Sequence, residues 1–267
     1  MRLVKAHALG NDFLLVDEAE LASSVDRAAV ARAVCDRHRG LGADGLIAYS
    51  AAEPLGMALL NADGSFSEIS GNGVRCLAAW HASRRSARPG DSLAIHTDAG
   101  LKELTLLECE GPRFLFRAAM GRPENIERAC LDVAGVPVDA VTLRVGNPQC
   151  VVLGWVTPER LHTLAAALAV HPHFPAGTNV ELAEVLSPGR VRILIWERGV
   201  GPTEASGTGA CAAAVAAMQY GGAARDVAVE SPGGTQRVEW LDDGLYLTGT
   251  AEIVAACEWL GAVPGHA

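Results

Sequence analysis

ISGNGVRCLAAW, residues 69–80, and ASGTGACAAAVA, residues 205–216, each read S-G-x-G and then run into an alanine-rich apolar stretch. They stand about half a chain apart in 267 residues. Serine is a good N-cap, so each segment reads as a helix start. Glycine is a poor helix former, and capping alone does not account for Gly71, Gly73, Gly207 and Gly209. The glycines clear side chains from the free N–H groups of the first turn. An anion can then approach with the helix dipole in its favour. The stretches that follow, CLAAWHA from Cys76 and CAAAVAAM from Cys211, are apolar around most of their circumference. They predict helices buried on all sides.

The likeness between the halves extends upstream. Asn61 in NADGSFSEIS stands nine residues before Ser70, and Glu197 in ERGVGPTEAS stands nine before Ser206. Around them the chain reads as short strands with few helices. In the first half RLVKAHA (2–8), DFLLVDE (12–18), GLIAYS (45–50), MALLNAD (57–63), SLAIHT (92–97), LKELTLLE (101–108) and RFLFRAAM (113–120) have strand length and pattern. In the second half VTLRVGN (141–147), QCVVLG (149–154), TNVELAEV (178–185), RVRILIWER (190–198), VAVES (227–231), TQRVEW (235–240) and LYLTGT (245–250) do the same. Helices are predicted over 26–38, stopped by Gly40, and over 158–170.

The pattern is α+β rather than a β-α-β alternation. It predicts two pseudo-symmetric domains from an internal duplication, each a strand-rich sheet or barrel wrapped around one buried helix. A shared site between two such helix starts would suit a small carboxylate. The first domain is expected at 1–116, rejoined by about 252–267, and the second at 117–251.

Composition narrows the function classes. A net charge of −9 argues against nucleic acid or an anionic membrane as partner. No apolar run approaches the ~20 residues of a membrane span. His7, Asn11 and Asp12 break the N-terminal stretch where a signal peptide needs an apolar core. Seven cysteines without framework spacing read as reduced thiols of a cytoplasmic protein, and no Cys/His cluster suggests zinc. The expected partners are a small carboxylate ligand and a second copy of the chain in a homodimer.

A dinucleotide fold is the rival for glycine-rich helix starts. GVGPTE from Gly199 offers G-x-G, but Glu204 stands where the third glycine belongs, and no β-α-β unit surrounds it. Six motifs point elsewhere: HALGNDFLLVD (7–17), RHRGLGADGL (37–46), NADGS (61–65) with SGNGVRC (70–76), GNPQCV (146–151), FPAGTNVELAEV (174–185) and WERGVGPTEASGTGACA (196–212). In order and spacing they resemble the diaminopimelate epimerases over essentially the whole chain.

The resemblance implies an amino-acid epimerase that interconverts LL- and meso-diaminopimelate by two-base α-proton transfer. It implies no pyridoxal phosphate, no other cofactor and no metal. It implies that Gly71-Asn72 and Gly207-Thr208, with Asn11, hold the reacting α-carboxylate. Asn61, Asn147, Asn179 and Arg198 would grip the distal carboxylate, with Glu197 near the distal ammonium. Taken singly, Asn11, Asn61 and Asn147 also suit ordinary turns. As a set, four asparagines and an arginine at strand ends suit a zwitterion with a carboxylate at each end.

The sequence departs from the family at the acid and base. The family carries a cysteine at each helix start, where this chain has Ser70 and Ser206, and a histidine after G-N-P, where it has Gln149. A thiolate forms near neutral pH, whereas a serine hydroxyl needs an adjacent base, and an amide is not one. Cys76 and Cys211 lie roughly 9 and 7.5 Å up their helices and read as core residues. The carboxylates open as substitutes are Asp44, Asp63, Glu68, Glu197 and Glu204, with Asp44 and Gln149 as accessory groups. Three readings stay open: the epimerase with hydroxyls for thiols, a carboxylate-based isomerase of another small acid, and a non-catalytic amino-acid-binding protein. The retained binding set favours the first and third over the second, and the missing thiols favour the second and third over the first. The reading adopted is the epimerase, with Ser70 and Ser206 in the catalytic positions.

Overall fold

The structure, a computed structural model, describes residues 1–21, 25–52 and 54–262. The chain divides into two compact units, Met1–Ala118 with the segment from Thr250 onward, and Ala119–Gly249. Each unit builds its sheet by the same sequence of pairings.

In the first unit Arg2–Ala8 pairs antiparallel with Asn11–Asp17, which runs parallel to Gly45–Ser50. Gly45–Ser50 is antiparallel to Leu55–Asn61, Leu55–Asn61 parallel to Ser92–Thr97, and Ser92–Thr97 antiparallel to Gly100–Glu110. In the second unit Val136–Val145 is antiparallel to Asn147–Leu153, which runs parallel to Asn179–Ser187. Asn179–Ser187 is antiparallel to Arg190–Glu197, Arg190–Glu197 parallel to Asp226–Ser231, and Asp226–Ser231 antiparallel to Gly234–Trp240. The parallel steps are where helices are inserted, because a parallel connection needs a crossover. Arg27–Cys35 and the helical segment 158–169 fill the first crossover of each unit, and Gly71–Arg85 and Gly207–Tyr220 the second. The duplication inferred from two S-G-x-G segments is therefore a duplication of topology.

The second crossover helices are the buried ones. Gly207–Tyr220 packs against strands Val136–Val145, Asn147–Leu153, Asn179–Ser187, Arg190–Glu197 and Gly234–Trp240. Every residue from Gly207 to Ala217 is buried, which only glycine, alanine and similarly small side chains permit inside so close a ring of strands. Gly71–Arg85 is buried from Gly71 to Ala79 and packs on Arg2–Ala8 and Asn11–Asp17. The other crossover helices cover the opposite sheet faces. Arg27–Cys35 packs Val30, Ala31 and Val34 on Leu14, Val16, Leu46 and Ala48. The 158–169 segment packs Leu161, Ala165 and Leu168 on Cys150, Val152, Val180 and Leu182.

Several boundaries differ from the sequence expectation. The first helix ends at Cys35, not 38, because Asp36 turns out and its carboxylate accepts the N–H groups of His38 and Arg39, at 2.8 and 2.7 Å. The helix expected over 158–170 runs over 158–169 and contains a π-helical turn over Leu161–Ala165. A strand over Glu124–Val133 was not anticipated. Its residues are mostly exposed, so it lacks the apolar alternation of a half-buried strand, and it is held by a hairpin with Val136–Val145. The last strand runs over Leu245–Glu258, well past 250, and its far end pairs with Arg2–Ala8.

Gly40 closes the first helix by folding the chain back over it. Its N–H donates to the Asp36 carbonyl at 2.9 Å, and Leu41 N–H to that of Val34 at 2.8 Å. A Cβ at Gly40 would stand 2.4 Å from Ala33 O and 2.5 Å from Val34 O, backbone atoms that cannot step aside. Gly40→Ala is expected to cost about 3 kcal/mol, the upper end of overpacking penalties. A thermal midpoint unchanged by that substitution would contradict this packing.

Candidate active site

In the first unit, Ser70 caps Gly71–Arg85 from extended backbone, and its Oγ accepts the Gly73 N–H at 3.1 Å. Gly73 leaves little room for a side chain. A Cβ there would meet Ile47 Cδ1 at 3.0 Å, Met57 Cε at 3.1 Å and Ser70 Cβ at 3.3 Å. The next polar layer is a chain of hydrogen bonds. The fully buried Asn72 donates Nδ2 to Asn11 Oδ1 at 3.0 Å, and its own Oδ1 accepts from Arg75 Nη2. Asn11 Nδ2 in turn donates to Asp44 Oδ2 at 2.9 Å, and Arg37 Nη2 reaches Asp44 Oδ1 at 2.8 Å.

Asp12 anchors the far end of that chain, bound by Arg37 at 2.8 Å and Lys5 at 2.9 Å. Burial alone would raise its carboxyl, but the hydrogen bonds of Arg37 and Lys5 outweigh that and hold it below the usual range. Asn11 thus has one end committed to Asn72 and the other to Asp44, and both asparagines are held in one orientation. Asp44 has both carboxyl oxygens hydrogen-bonded within this network. Asn61 ends the strand Leu55–Asn61 and donates Nδ2 to Ser65 Oγ at 2.9 Å, in the turn where Asp63 accepts Ser65 N–H at 2.7 Å.

In the second unit, Ser206 repeats the cap of Ser70, with Oγ accepting the Gly209 N–H at 3.2 Å. Its carbonyl accepts from the buried Gln236 Nε2 at 3.3 Å. Ser206, Gly207, Thr208 and Gly209 are all buried. Side-chain alternation places Asn147, Gln149, Asn179 and Glu197 on the sheet face opposite Cys150, Val152, Val180, Leu182 and Trp196, which pack toward the 158–169 segment. Gln149 Nε2 donates to Asn147 Oδ1. Asn179 Oδ1 accepts the Arg198 backbone N–H at 2.9 Å, and Arg198 Nη1 reaches Ala176 O at 3.3 Å.

The structure therefore gathers the sequence-derived residues into two sets, one per unit. Ser70, Gly71, Asn72, Asn11 and Asp44 are joined through hydrogen bonds or the same helix start. Asn147, Gln149 and Asn179 lie on one sheet face of the second, and Asn179 is tied to the backbone N–H of Arg198, just past the strand end. Cys76 and Cys211 are fully buried, and burial pushes the Cys76 thiol up to about 12, so it offers no ready thiolate.

Two charged residues in the middle of these sets escaped the sequence reading. Arg75 is fully buried in the helix Gly71–Arg85, five residues past Ser70. Glu181 is fully buried in the second unit. The signal was present in both cases: each is a charge set inside a segment that is otherwise apolar and buried.

The chain belongs to the diaminopimelate epimerase family, which it matches over residues 3–126 and 141–254. It is 44% identical over 281 residues to a diaminopimelate epimerase from Desulforudis audaxviator, covering 98% of this chain and 100% of that one. It is 40% identical over 271 residues to a diaminopimelate epimerase from Moorella thermoacetica, covering 94% and 96% respectively. Among solved structures, a hydroxyproline epimerase from Agrobacterium vitis shares the fold with a TM-score of 0.71 at 15% identity, covering 99% of this chain and 93% of that one. No helix among the described residues is long and apolar enough to cross a membrane.

Proposed function

We propose that this protein is a diaminopimelate epimerase that interconverts the LL and meso isomers without a cofactor, in the supply of lysine. The observation that carries the reading is the pair of serine-capped, glycine-cleared helix starts at equivalent places in the two topological repeats. Removing the α-proton puts negative charge onto the α-carboxylate. The first-turn N–H groups at Gly71-Asn72 and Gly207-Thr208 are suited to stabilise that charge as it grows, which is where electrostatic catalysis is most effective. The α-proton leaves one face to one serine position, and a proton is delivered to the other face from the second. Asn61, Asn147, Asn179 and Arg198 then hold the distal carboxylate, with Glu197 toward the distal ammonium.

Binding can be tested apart from chemistry. A ligand that binds only the folded protein raises its thermal midpoint, by the equivalent of about 2.7 kcal/mol at a hundred times Kd. Diaminopimelate is expected to do this, and lysine, which lacks the distal carboxylate, to do much less. Arg198→Ala is expected to weaken diaminopimelate about tenfold or more, the loss of a charge-assisted hydrogen bond. An unchanged response in that variant contradicts the distal clamp.

A further inference from the structure

Glu181 lies on Asn179–Ser187 between Val180 and Leu182, and it is completely buried. Neither of its carboxyl oxygens has a hydrogen-bond partner among the described residues. Natural proteins rarely bury a carboxyl in that condition, since it costs free energy without return unless a function uses it. Val180 and Leu182 point into the cluster under the 158–169 segment, so Glu181 faces the other way, toward Gly207–Tyr220.

There it meets the first turn of the helix. A Cβ on Gly209 would stand 2.6 Å from Glu181 Oε1 and 3.1 Å from Ser206 Cβ. The carboxyl and the serine side chain therefore flank the same glycine, and nothing projects from that glycine between them.

The first unit shows what this place holds when no acid is wanted. Glu181 pairs in register with Val151, and its counterpart by topology is Ile47, which pairs with Leu15. Ile47 Cδ1 stands 3.0 Å from the Cβ position of Gly73, just as Glu181 stands against Gly209. One strand position in the repeat is thus isoleucine under Ser70 and glutamate under Ser206. The halves are alike in topology and unlike in the group that backs the serine.

We propose that Glu181 is the proton partner of Ser206: its carboxylate accepts the Ser206 hydroxyl proton as Ser206 Oγ takes the substrate's α-proton, and returns it in the reverse step. The proposal rests on the reading that Ser206 serves one face of the reacting carbon. The Cα–H bond breaks, and its electron pair stays on the substrate, spread into the α-carboxylate. The α-proton ends on Ser206 Oγ, and the serine's own proton ends on Glu181. One negative charge has moved from protein to substrate, and no oxidant or reductant takes part. Ser206 Oγ accepts the Gly209 N–H in this structure, so the step requires rotation about the serine Cα–Cβ bond. Glu181 acts through Ser206 and is a positioning residue.

The surroundings set the direction of the pH effect. Burial first, and the charge of Glu197 second, raise the Glu181 carboxyl well above the ordinary glutamate range. From the neighbouring strand the Cys150 thiol, itself pushed up to about 12 by burial and then by Glu181, contributes no charge near neutral pH. The helix N-terminus at Gly207 works the other way, favouring the carboxylate. A carboxyl raised in this way is a stronger base once ionised, and it stays protonated to higher pH. Proton abstraction needs the ionised form, so the rate should rise with pH through the raised titration.

The test follows α-deuterium uptake and LL-to-meso conversion in deuterated water, with the thermal response to diaminopimelate measured alongside. Glu181→Gln is expected to lower both rates at least about tenfold and to flatten their rise with pH. The diaminopimelate response should be unchanged. Ser206→Ala should lose as much. Glu181→Asp, which keeps the acid, should keep the rise. In the Ser206→Cys protein, Glu181→Gln should change the rates less than about threefold, because a thiolate is its own base. The pairing is overturned by a Glu181→Gln protein as fast as the parent, by an equal loss in the cysteine background, by a flat profile in Glu181→Asp, or by a Ser206→Ala protein that retains its rate. A parent that responds to diaminopimelate but exchanges nothing overturns the pairing and the epimerase reading together, whereas an active parent with a Glu181→Gln variant as fast overturns the pairing alone. A parent with no response overturns the substrate assignment, and this proposal with it.

Discussion

Ser70→Cys is expected to raise epimerisation by about a hundredfold, the lower end of what a placed acid or base supplies, while Ser206→Cys raises it far less. The asymmetry follows from the strand position behind each serine. Behind Ser70 the space at Gly73 is filled by Ile47 and Met57, which cannot accept a proton. A thiol placed there sits at a helix N-terminus, whose partial positive charge favours the thiolate. It would bring a base where the hydroxyl has no carboxylate at the corresponding point. Behind Ser206 the corresponding point holds Glu181 Oε1, so a thiol there replaces a pair that already works. Chiral analysis of diaminopimelate after timed incubation measures both variants. Equal gains from the two single substitutions would mean that the two halves are chemically equivalent, and that Glu181 makes no difference.

Gly209→Ala is expected to abolish measurable turnover and to lower the thermal midpoint strongly. Its Cβ would stand 2.6 Å from Glu181 Oε1, closer than any real carbon–oxygen contact, and 3.1 Å from Ser206 Cβ. The carboxyl is fully buried, so the carboxyl, the helix start or the strand must shift. Adding Glu181→Ala removes the clashing atoms and should recover most of the midpoint. It should not recover turnover, because the proton partner is then gone. Should the double variant regain turnover along with stability, the carboxyl would be an obstacle at that site and not a participant. Gly73→Ala makes a milder comparison, since its Cβ would meet the tips of Ile47 and Met57 at 3.0 and 3.1 Å.

Much of this architecture could be read from residue types. Ser70 and Ser206 cap their helices as their sequence position implied, and the alanine-rich runs after them are buried. Those features are local: a cap and a polarity pattern are fixed by neighbours in the chain. The strand Glu124–Val133 was hidden because its sides are mostly exposed, so no apolar alternation marked it. Asn11 was legible as a polar residue after a glycine turn. Its role as the link between Asp44 and Asn72 was not, because that link spans residues 33 and 61 positions away in sequence. The meaning of Glu181 was the least accessible. The segment TNVELAEV shows an acid inside an apolar strand, but only the pairing register with Asn147–Leu153 reveals that it stands where Ile47 stands in the other repeat. Strand periodicity alone does not say what packs on the far side of that acid.

The central claim is that the serine-capped helix starts carry out α-proton transfer on diaminopimelate. Incubating the unmodified protein with LL-diaminopimelate in deuterated water, and following deuterium at the α-carbon together with configuration, tests it most directly. The account predicts meso-diaminopimelate carrying α-deuterium, formed faster as pH rises and lost in Ser206→Ala. Unchanged LL-diaminopimelate without deuterium, under conditions where the ligand still raises the thermal midpoint, would contradict it and leave a protein that binds the amino acid without transforming it.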